Sequence, residues 1–251
     1  MIRFFLSLLL MLFSVLMHGQ ATQTHTITGN VTKLVASMPI EVQVDATSSS
    51  TTVRVEGVQE DIENIEVRQL GSVLYVDMST KKNKNKIVYK SRVKVFIAQS
   101  KIVEYDLSTT VRVQVNGRVQ GNQVTIKGDA AASLKGDFTA NSVTISLDSA
   151  SKYEGDIAAK SIKVNLDSAA HATATGDAEN LTINVDSAAK FDGKNLKAKF
   201  VKVEADSMGK AEVYPIDSLN AYADSMGKVI YYNTPKELKK YTDSMGSVKS
   251  N

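Results

Sequence analysis

The residues of this chain that could do chemistry are carboxylates and hydroxyls returning at a fixed interval. Asp-Ser pairs stand at Asp148-Ser149, Asp167-Ser168, Asp186-Ser187, Asp206-Ser207, Asp224-Ser225 and Asp243-Ser244, at spacings of 19, 19, 20, 18 and 19 residues. Asp129 continues the series backwards by another 19, with Ala130 in place of serine, while Asp217-Ser218 falls outside the register. Three chemistries could use such a series. Asp186 with Asp167 or Asp206 could form the carboxylate pair of a glycoside hydrolase. A column of aspartates could hold calcium, which takes clustered carboxylate and carbonyl oxygens. Alternatively, Asp and Ser could turn the chain, because both bond their own backbone two residues on.

The flanking residues favour the turn. Four residues after the aspartates stand Lys152, His171, Lys190, Lys210 and Lys228, which oppose a cation site, and no Gly-Gly-x-Gly-x-Asp calcium repeat is present. If the repeats stack, aspartates about 4.8 Å apart repel by about 0.9 kcal/mol per pair even at the dielectric of water. A parallel column of lysines would offset much of this. The expectation is a charge-balanced ladder of corners, with no catalytic, cofactor-binding or metal-ligating residue. Gly209, Gly227 and Gly246, three residues after the last three aspartates, are candidates for the positive φ that such corners need.

The elements that position this series are also legible. Five residues before each Asp stand Val124, Val143, Ile162, Leu181, Val201, Leu219 and Leu238. Three before stand Ile126, Ile145, Val164, Ile183, Val203 and Ala221, with Lys240 breaking the column. One before stand Leu147, Leu166, Val185, Ala205 and Ala223, with Gly128 and Thr242 as exceptions. Alternate residues facing inward define one strand per repeat, and a fixed period near twenty is the mark of a stacked architecture. Leucine-rich repeats need a Leu framework absent here, helical repeats need a 3.6 period, and a hairpin array would need turns such as Asn-Gly, which the rungs lack. The fold expected is all-β, a right-handed parallel β-helix of the single-strand solenoid type. About seven short C-terminal rungs, each with one long strand, continue from an N-terminal β-rich region. Seven coils stacked at about 4.8 Å make a rod of roughly 34 Å. Each rung buries two or three aliphatic side chains worth roughly 1.5–3 kcal/mol apiece.

Composition agrees. Hydrophobic residues are 43%, enough for a core, but aromatics are 6% with no Trp, so the core is built from small aliphatic side chains. Cysteine is absent, which excludes disulfides, thiol nucleophiles and Cys-ligated metals. A net charge of +3 is weak for a nucleic-acid binder. The basic run Lys81–Lys86 lacks interleaved aromatics and reads as a solvated hairpin tip. His18, His25 and His171 are scattered, with His25 expected in a mobile N-terminus; no His-based triad or zinc site follows.

Arg3, the apolar run Phe4 to Met17 broken only by Ser7 and Ser14, and the small residues Gly19 and Ala21 have the layout of a secretory signal peptide, cleaved between Gly19 and Thr22. The expected organisation is a signal peptide over 1–20, a β-rich part over 21–115 and the solenoid repeats over 116–251, in an exported protein of the periplasm, cell surface or medium. From Thr26 to Val115 apolar and polar residues alternate, as in Ile40–Val44, Val53–Val55, Val73–Asp77, Ile87–Tyr89 and Val93–Ile97. Asp61–Glu66 reads as a short helical turn and Lys236–Tyr241 as at most one more. The word Ser-Thr-Thr-Val-Arg-Val occurs twice, at Ser50–Val55 and Ser108–Val113.

The signal peptide, the strand region Val31–Gly57, the stretch Ala205-Asp206-Ser207-Met208-Gly209-Lys210-Ala211-Glu212-Val213 and the closing Met245-Gly246-Ser247-Val248-Lys249 together resemble the GIN-domain family, the head domain of putative autotransporter adhesins common in Bacteroidetes. The resemblance spans most of the chain after residue 20. Members usually carry a Ser-Gly-Ala-Ser-like corner, where this chain has Asp-Ser-Ala or Asp-Ser-Met. The family implies an adhesive or structural surface module and brings no catalytic residues.

The function expected is therefore a non-enzymatic, adhesin-like or cell-envelope module that binds a surface glycan or protein, with no nucleic-acid partner and no transmembrane segment after signal removal. The alternative is a polysaccharide-cleaving β-helix enzyme, for which repeats of 18–20 residues leave no loop to wall a cleft. Open solenoid ends, with Lys236–Asn251 blunting the last one, make an end-to-end homo-oligomer the third expectation.

Overall fold

The structure, a computed structural model, describes residues 20–78 and 92–251. The signal segment, the run Lys81–Lys86 and the strand expected at Ile87–Tyr89 lie outside the described residues. In the N-terminal part short strands of β-branched residues alternate buried and exposed positions: β1 (Gln20–Thr26), β2 (Lys33–Ser37), β3 (Glu41–Asp45) and β4 (Ser49–Val58). A four-residue helix α1 (Gln59–Ile62) links β4 to β5 (Ile65–Leu70), and β6 (Val73–Met78), β7 (Lys94–Gln99) and β8 (Glu104–Ser108) follow. The strands then lengthen to β9 (Arg112–Gly128), β10 (Ser133–Leu147), β11 (Lys152–Leu166), β12 (His171–Val185), β13 (Lys190–Ala205) and β14 (Lys210–Ala223). The last turn is divided into β15 (Lys228–Tyr231), β16 (Glu237–Thr242) and β17 (Ser247–Ser250).

These strands form a β-solenoid of about eight turns with parallel stacked strands. From β9 to β14 each strand pairs in parallel with the next in sequence, and β14 continues onto β15 and β16. Repeats are in register at the expected offset, as in Val143↔Ile162, Ile162↔Leu181 and Leu181↔Val201. The paired segment extends well beyond the apolar positions that define it in the sequence. β10, β11 and β12 each take fifteen, because after every corner the chain rejoins the ladder at once. The segment Lys236–Tyr241, read from sequence as at most a helical turn, is strand β16 from Glu237 on: it pairs with β14 from Ser218↔Glu237 to Ala223↔Thr242, and ladder pairing outweighs the local preference.

The N-terminal strands belong to the same stack but not in chain order. β2 lies between β6 and β8, and β3 between β7 and β9, all in parallel. Beyond β6 and β7 the sheet is continued by antiparallel strands: β5 on β6, β4 on β7, and β1 on β4. His25, expected in a mobile segment, sits in β1 opposite Val53, because the alternating residues from Gln20 to Thr26 can complete the edge of β4.

A single hydrophobic cluster runs from Ile27 to Tyr231. The three apolar columns before the aspartates are buried up to the last rung, where Leu238 is exposed; Ile145, Val164, Ile183, Val203 and Ala221 are all fully enclosed. A further column, one residue beyond the lysine position, alternates large and small side chains as Tyr153, Ala172, Phe191 and Ala211. Such alternation lets stacked layers interdigitate. Tyr105, Phe138 and Tyr153 pack ring to ring, with centroids 5.9 Å and 6.3 Å apart, where the N-terminal rungs meet the repeats. At the last rung Lys240 takes the place of the apolar residue in its column. Its ammonium donates to the Tyr231 hydroxyl at 2.9 Å and lies 4.8 Å from the centre of that ring.

Candidate functional site

Each Asp-Ser word is a tight corner. The two residues after every aspartate have positive φ: Ser149 50° and Ala150 62°, Ser168 50° and Ala169 63°, Ser207 45° and Met208 66°, Ser225 46° and Met226 65°. The aspartate carbonyl accepts the N–H three residues on, from Ser151 at 3.0 Å, Ala170 at 2.9 Å and Ala189 at 2.8 Å. Two left-handed residues closed by such a bond make a type I′ turn, the turn that usually requires Asn-Gly. Here Ser-Ala and Ser-Met occupy it. L-residues in this region are disfavoured by roughly 1–2 kcal/mol each, and the stack supplies the compensation. The second left-handed residue donates its N–H to the next corner, Ala150 to the Ser168 carbonyl at 3.0 Å and Ala169 to the Ser187 carbonyl at 3.0 Å. The aspartate amides continue the ladder, as Asp167 N–H to Leu147 O at 3.1 Å.

This geometry reverses the role expected of the glycines. Gly209, Gly227 and Gly246 are absent from the positive-φ residues. They fill the closing position of the turn, where a Cβ would lie 2.4, 2.1 and 2.1 Å from the Val185, Ala205 and Ala223 carbonyl oxygens. Without a side chain these three turns close more tightly, at 2.6, 2.5 and 2.6 Å. Earlier corners place the buried side chains of Ala132, Ser151, Ala170 and Ala189 there.

The aspartates serve the corners. Every Oδ1 accepts the N–H of the following residue, at 2.6 Å from Ala130, 2.5 Å from Ser149 and 2.6 Å from Ser168, Ser187, Ser207 and Ser225. A hydrogen bond from the Ser187 hydroxyl of the next rung, then one from the Ser168 amide, holds the Asp167 carboxyl below the usual carboxylate range. The Ser225 amide and then the Ser244 hydroxyl do the same for Asp224. The lysines do not balance this column as expected. Among the described residues none of them forms an ion pair with a corner aspartate, and Lys210 instead reaches Glu212 at 3.1 Å. They stand on the far side of the turn, so the left-handed bend separates the two columns.

Asp167, Asp186 and Asp206 occupy consecutive places in one column. They share one side of any bound ligand, whereas hydrolysis of a glycosidic bond needs carboxyls flanking it in unlike environments. Among the described residues no three His, Asp or Glu side chains converge as a metal ion would require. His171 is placed apart from His25, bonds the Thr173 hydroxyl at 3.2 Å, and has its pKa lowered chiefly by burial. Burial also lowers that of His25, whose Nε2 is enclosed without a hydrogen-bond partner.

Two grooves run along the rungs. One, of about 490 Å³, follows the corner column Asp148, Asp167, Asp186 and Asp206, with Asn165 and Asn184 along it and Tyr222 at its end. The residues two before each aspartate, Ser146, Asn165, Asn184, Glu204 and Tyr222, form a column of their own: Asn184 donates to Asn165 Oδ1 of the preceding rung at 2.9 Å, and Tyr222 donates to Asp224 of its own rung at 3.2 Å. The second, of about 450 Å³, lies beyond the corner beside Arg112, Lys152 and His171. The Asn165–Asn184–Glu204–Tyr222 column is not among the positions singled out from the sequence. Its signal was available, since these residues recur at the same period as the aspartates.

No curated protein sequence matches this chain. Solved structures resemble it closely in fold at low identity. A putative adhesin from Parabacteroides distasonis has a TM-score of 0.84 at 15% identity, covering 93% of this chain and 97% of its own. A putative adhesin from Parabacteroides merdae has a TM-score of 0.83 at 14% identity, covering 92% and 96%. A Parabacteroides distasonis protein described as a putative lipid binding protein has a TM-score of 0.81 at 14% identity, with 92% and 96% covered. The family model for the putative auto-transporter adhesin, head GIN domain, matches residues 30–235, and the chain belongs to that family.

Proposed function

We propose that this chain is an exported, non-enzymatic, adhesin-like module that binds an extended ligand along the faces of its solenoid. The observation that carries this is the groove of about 490 Å³ in which the same polar positions return rung after rung, with Tyr222 at one end. Asn, Asp and Tyr offer donors, acceptors and an apolar ring face, the combination that suits sugar hydroxyls and C–H edges. A repeated surface binds by multiplying weak, equivalent contacts and needs no single reactive centre. The corner carboxylates are alike in position and are used by the turns, and Glu204, the other carboxylate lining the groove, is paired with Lys202 at 2.9 Å. Export is supported by the signal-peptide layout of the first 20 residues, and the adhesin assignment of the family accords with a surface role.

The test is a glycan and protein array probed with the purified chain, run beside digestion assays on a panel of polysaccharides. The expected result is saturable binding to an extended glycan or surface protein, with all polymers intact. A defined oligosaccharide product from any of them would establish the enzyme alternative and overturn this assignment. Cell fractionation of the producing organism checks export; retention in the cytoplasm would refute it.

A further inference from the structure

Beyond the corner, one column of the solenoid carries lysine or histidine over five consecutive rungs. The register places Lys152 opposite His171, His171 opposite Lys190, Lys190 opposite Lys210 and Lys210 opposite Lys228. Toward the N-terminus the same column continues through Ser133 to Arg112. With strands about 4.8 Å apart, the five residues form a straight stripe of roughly 19 Å. We infer that this stripe is a docking site for an extended acidic polysaccharide, one carrying uronate or sulfate groups. The inference rests on the binding-module assignment above and names a ligand class for it.

Folding does not call for this column. The adjacent lysines of the stack, Lys190, Lys210 and Lys228, repel by about 0.9 kcal/mol per pair even at the dielectric of water, and like charges directly opposite on a sheet are destabilising. Ser133 and Ser247 occupy the same column, so the backbone accepts a neutral residue there. Nor do neighbouring acids quench it. Among the described residues Lys152, Lys190, Lys228 and Arg112 form no ion pair. The acids two residues further on are engaged elsewhere: Glu154 with Lys135 at 2.5 Å and Asp192 with Lys194 at 3.1 Å. Glu212 accepts from the Tyr232 hydroxyl at 2.7 Å as well as pairing with Lys210. At its N-terminal end the stripe opens into the groove of about 450 Å³, where Gln114 and Thr173 add neutral hydrogen-bonding groups beside Arg112, Lys152 and His171, and where the acid opposite Arg112, Glu41, is drawn to Arg92 at 3.5 Å.

The shape selects the partner. A line one charge wide on a flat sheet matches a linear polyanion with regularly spaced charges. Single-stranded nucleic acid would call for aromatic platforms between the cations, and the outward column beside the lysines carries none from Gln114 to Lys249. A bilayer would call for apolar residues along the whole stripe. The exposed Met208, Met226 and Met245 accompany only the last three corners, while the corners before them carry alanine.

The experiment measures affinity of the full chain for alginate, heparin and neutral dextran at rising sodium chloride. Alginate and heparin should bind and weaken with salt, and dextran should not bind by this stripe. Lys152→Gln, Lys190→Gln and Lys228→Gln together should lower affinity for the acidic polymers by about tenfold or more without lowering Tm. Lys127→Gln, Lys160→Gln and Lys163→Gln remove the same charge from other columns and should leave affinity within about twofold. Equal loss in both triple variants, or undiminished binding by the stripe variant, overturns the inference. Binding to single-stranded DNA or phosphatidylserine vesicles that matches alginate and is lost in the stripe variant overturns the ligand class. Failure to bind either acidic polymer overturns it as well, while a neutral glycan or protein captured on the array would leave the binding-module assignment standing.

Discussion

The repeats from β9 to β16 and the N-terminal strands share one core but are built by different rules. In the repeats, neighbours in sequence are neighbours in space, so each rung lies on the one before it. In the N-terminal part β2 and β3 lie between strands that come later in the chain, and β1, β4 and β5 turn antiparallel to close the sheet beyond β6 and β7. A stack in chain order can be extended indefinitely, and one out of order cannot. The irregular part therefore ends the solenoid at one side, with α1 packed over β1 and β4. The opposite end has no antiparallel strands, and there Lys240 and Thr242 stand in the inward columns that earlier rungs fill with apolar residues.

Removing Phe138 is the most damaging test of that shared core. The ring is fully enclosed between Tyr105 of the N-terminal part and Tyr153 of the repeats. Phe138→Ala is expected to lose about 3–5 kcal/mol, measured by urea unfolding. A single cooperative transition shifted as a whole shows that the two regions fold as one; two separated transitions would show that the rungs are coupled only to their nearest neighbours.

Lys240→Ile tests the unequal ends. It restores an apolar residue to the column above Tyr231 and removes an inward-pointing charge of the kind that protects sheet edges. The expected outcome is end-to-end association of the variant, seen as a concentration-dependent mass in sedimentation or size-exclusion, with the parent chain lighter at the same concentration. An unchanged mass would mean that the last rung is protected by something other than this ammonium.

The corners separate the regions on a smaller scale. Gly227→Ala introduces a Cβ 2.1 Å from the Ala205 carbonyl oxygen, and overpacking of this kind costs about 1–3 kcal/mol. Ala169→Gly, at a φ of 63°, should instead stabilise by about 0.5–1 kcal/mol by relieving a left-handed L-residue. Thermal unfolding of both variants reads opposite signs; a gain from Gly227→Ala would disprove the packing role given to that glycine.

Acid is expected to act most gently, and at the corners of the repeats. The Asp167 and Asp224 carboxyls titrate below their ordinary range in the folded chain because corner amides and hydroxyls bond the charged form. Their contribution is complete above the unfolded value of about 3.9 and is lost as pH falls through the lower folded value. Tm should decline below about pH 4, and Ser187→Ala with Ser244→Ala should lessen that decline. An identical decline in the double variant would place acid sensitivity elsewhere.

The repeat was legible because alternation and period are properties of side chains in order. Val143, Ile162 and Leu181 announce their column without any knowledge of the fold. The corner was legible as a turn, but not its handedness, since nothing about Ser-Ala or Ser-Met favours positive φ. The basic column was visible as lysines at a fixed offset, yet its separation from the aspartates came only from the bend between them. The strand order of the N-terminal part left no period to find, because its pairings join segments far apart in the chain.

The duplicated word Ser-Thr-Thr-Val-Arg-Val marks the boundary between the two kinds of knowledge. By itself it specifies a β-prone segment, and both copies supply buried valines, Val53 and Val55 in one and Val111 and Val113 in the other. At Ser50–Val55 it is extended throughout and pairs antiparallel within β4. At Ser108–Val113 it makes a corner, with Thr109 at φ 56° and Thr110 at φ 60°, a region that β-branched residues avoid. What tips the second copy is the adjacent rung, whose Ala130 carbonyl accepts the Thr110 N–H at 2.9 Å. Side-chain pattern determined which residues would be buried. Stacked backbone hydrogen bonds, which exist only once the rungs have assembled, decided where the chain would turn.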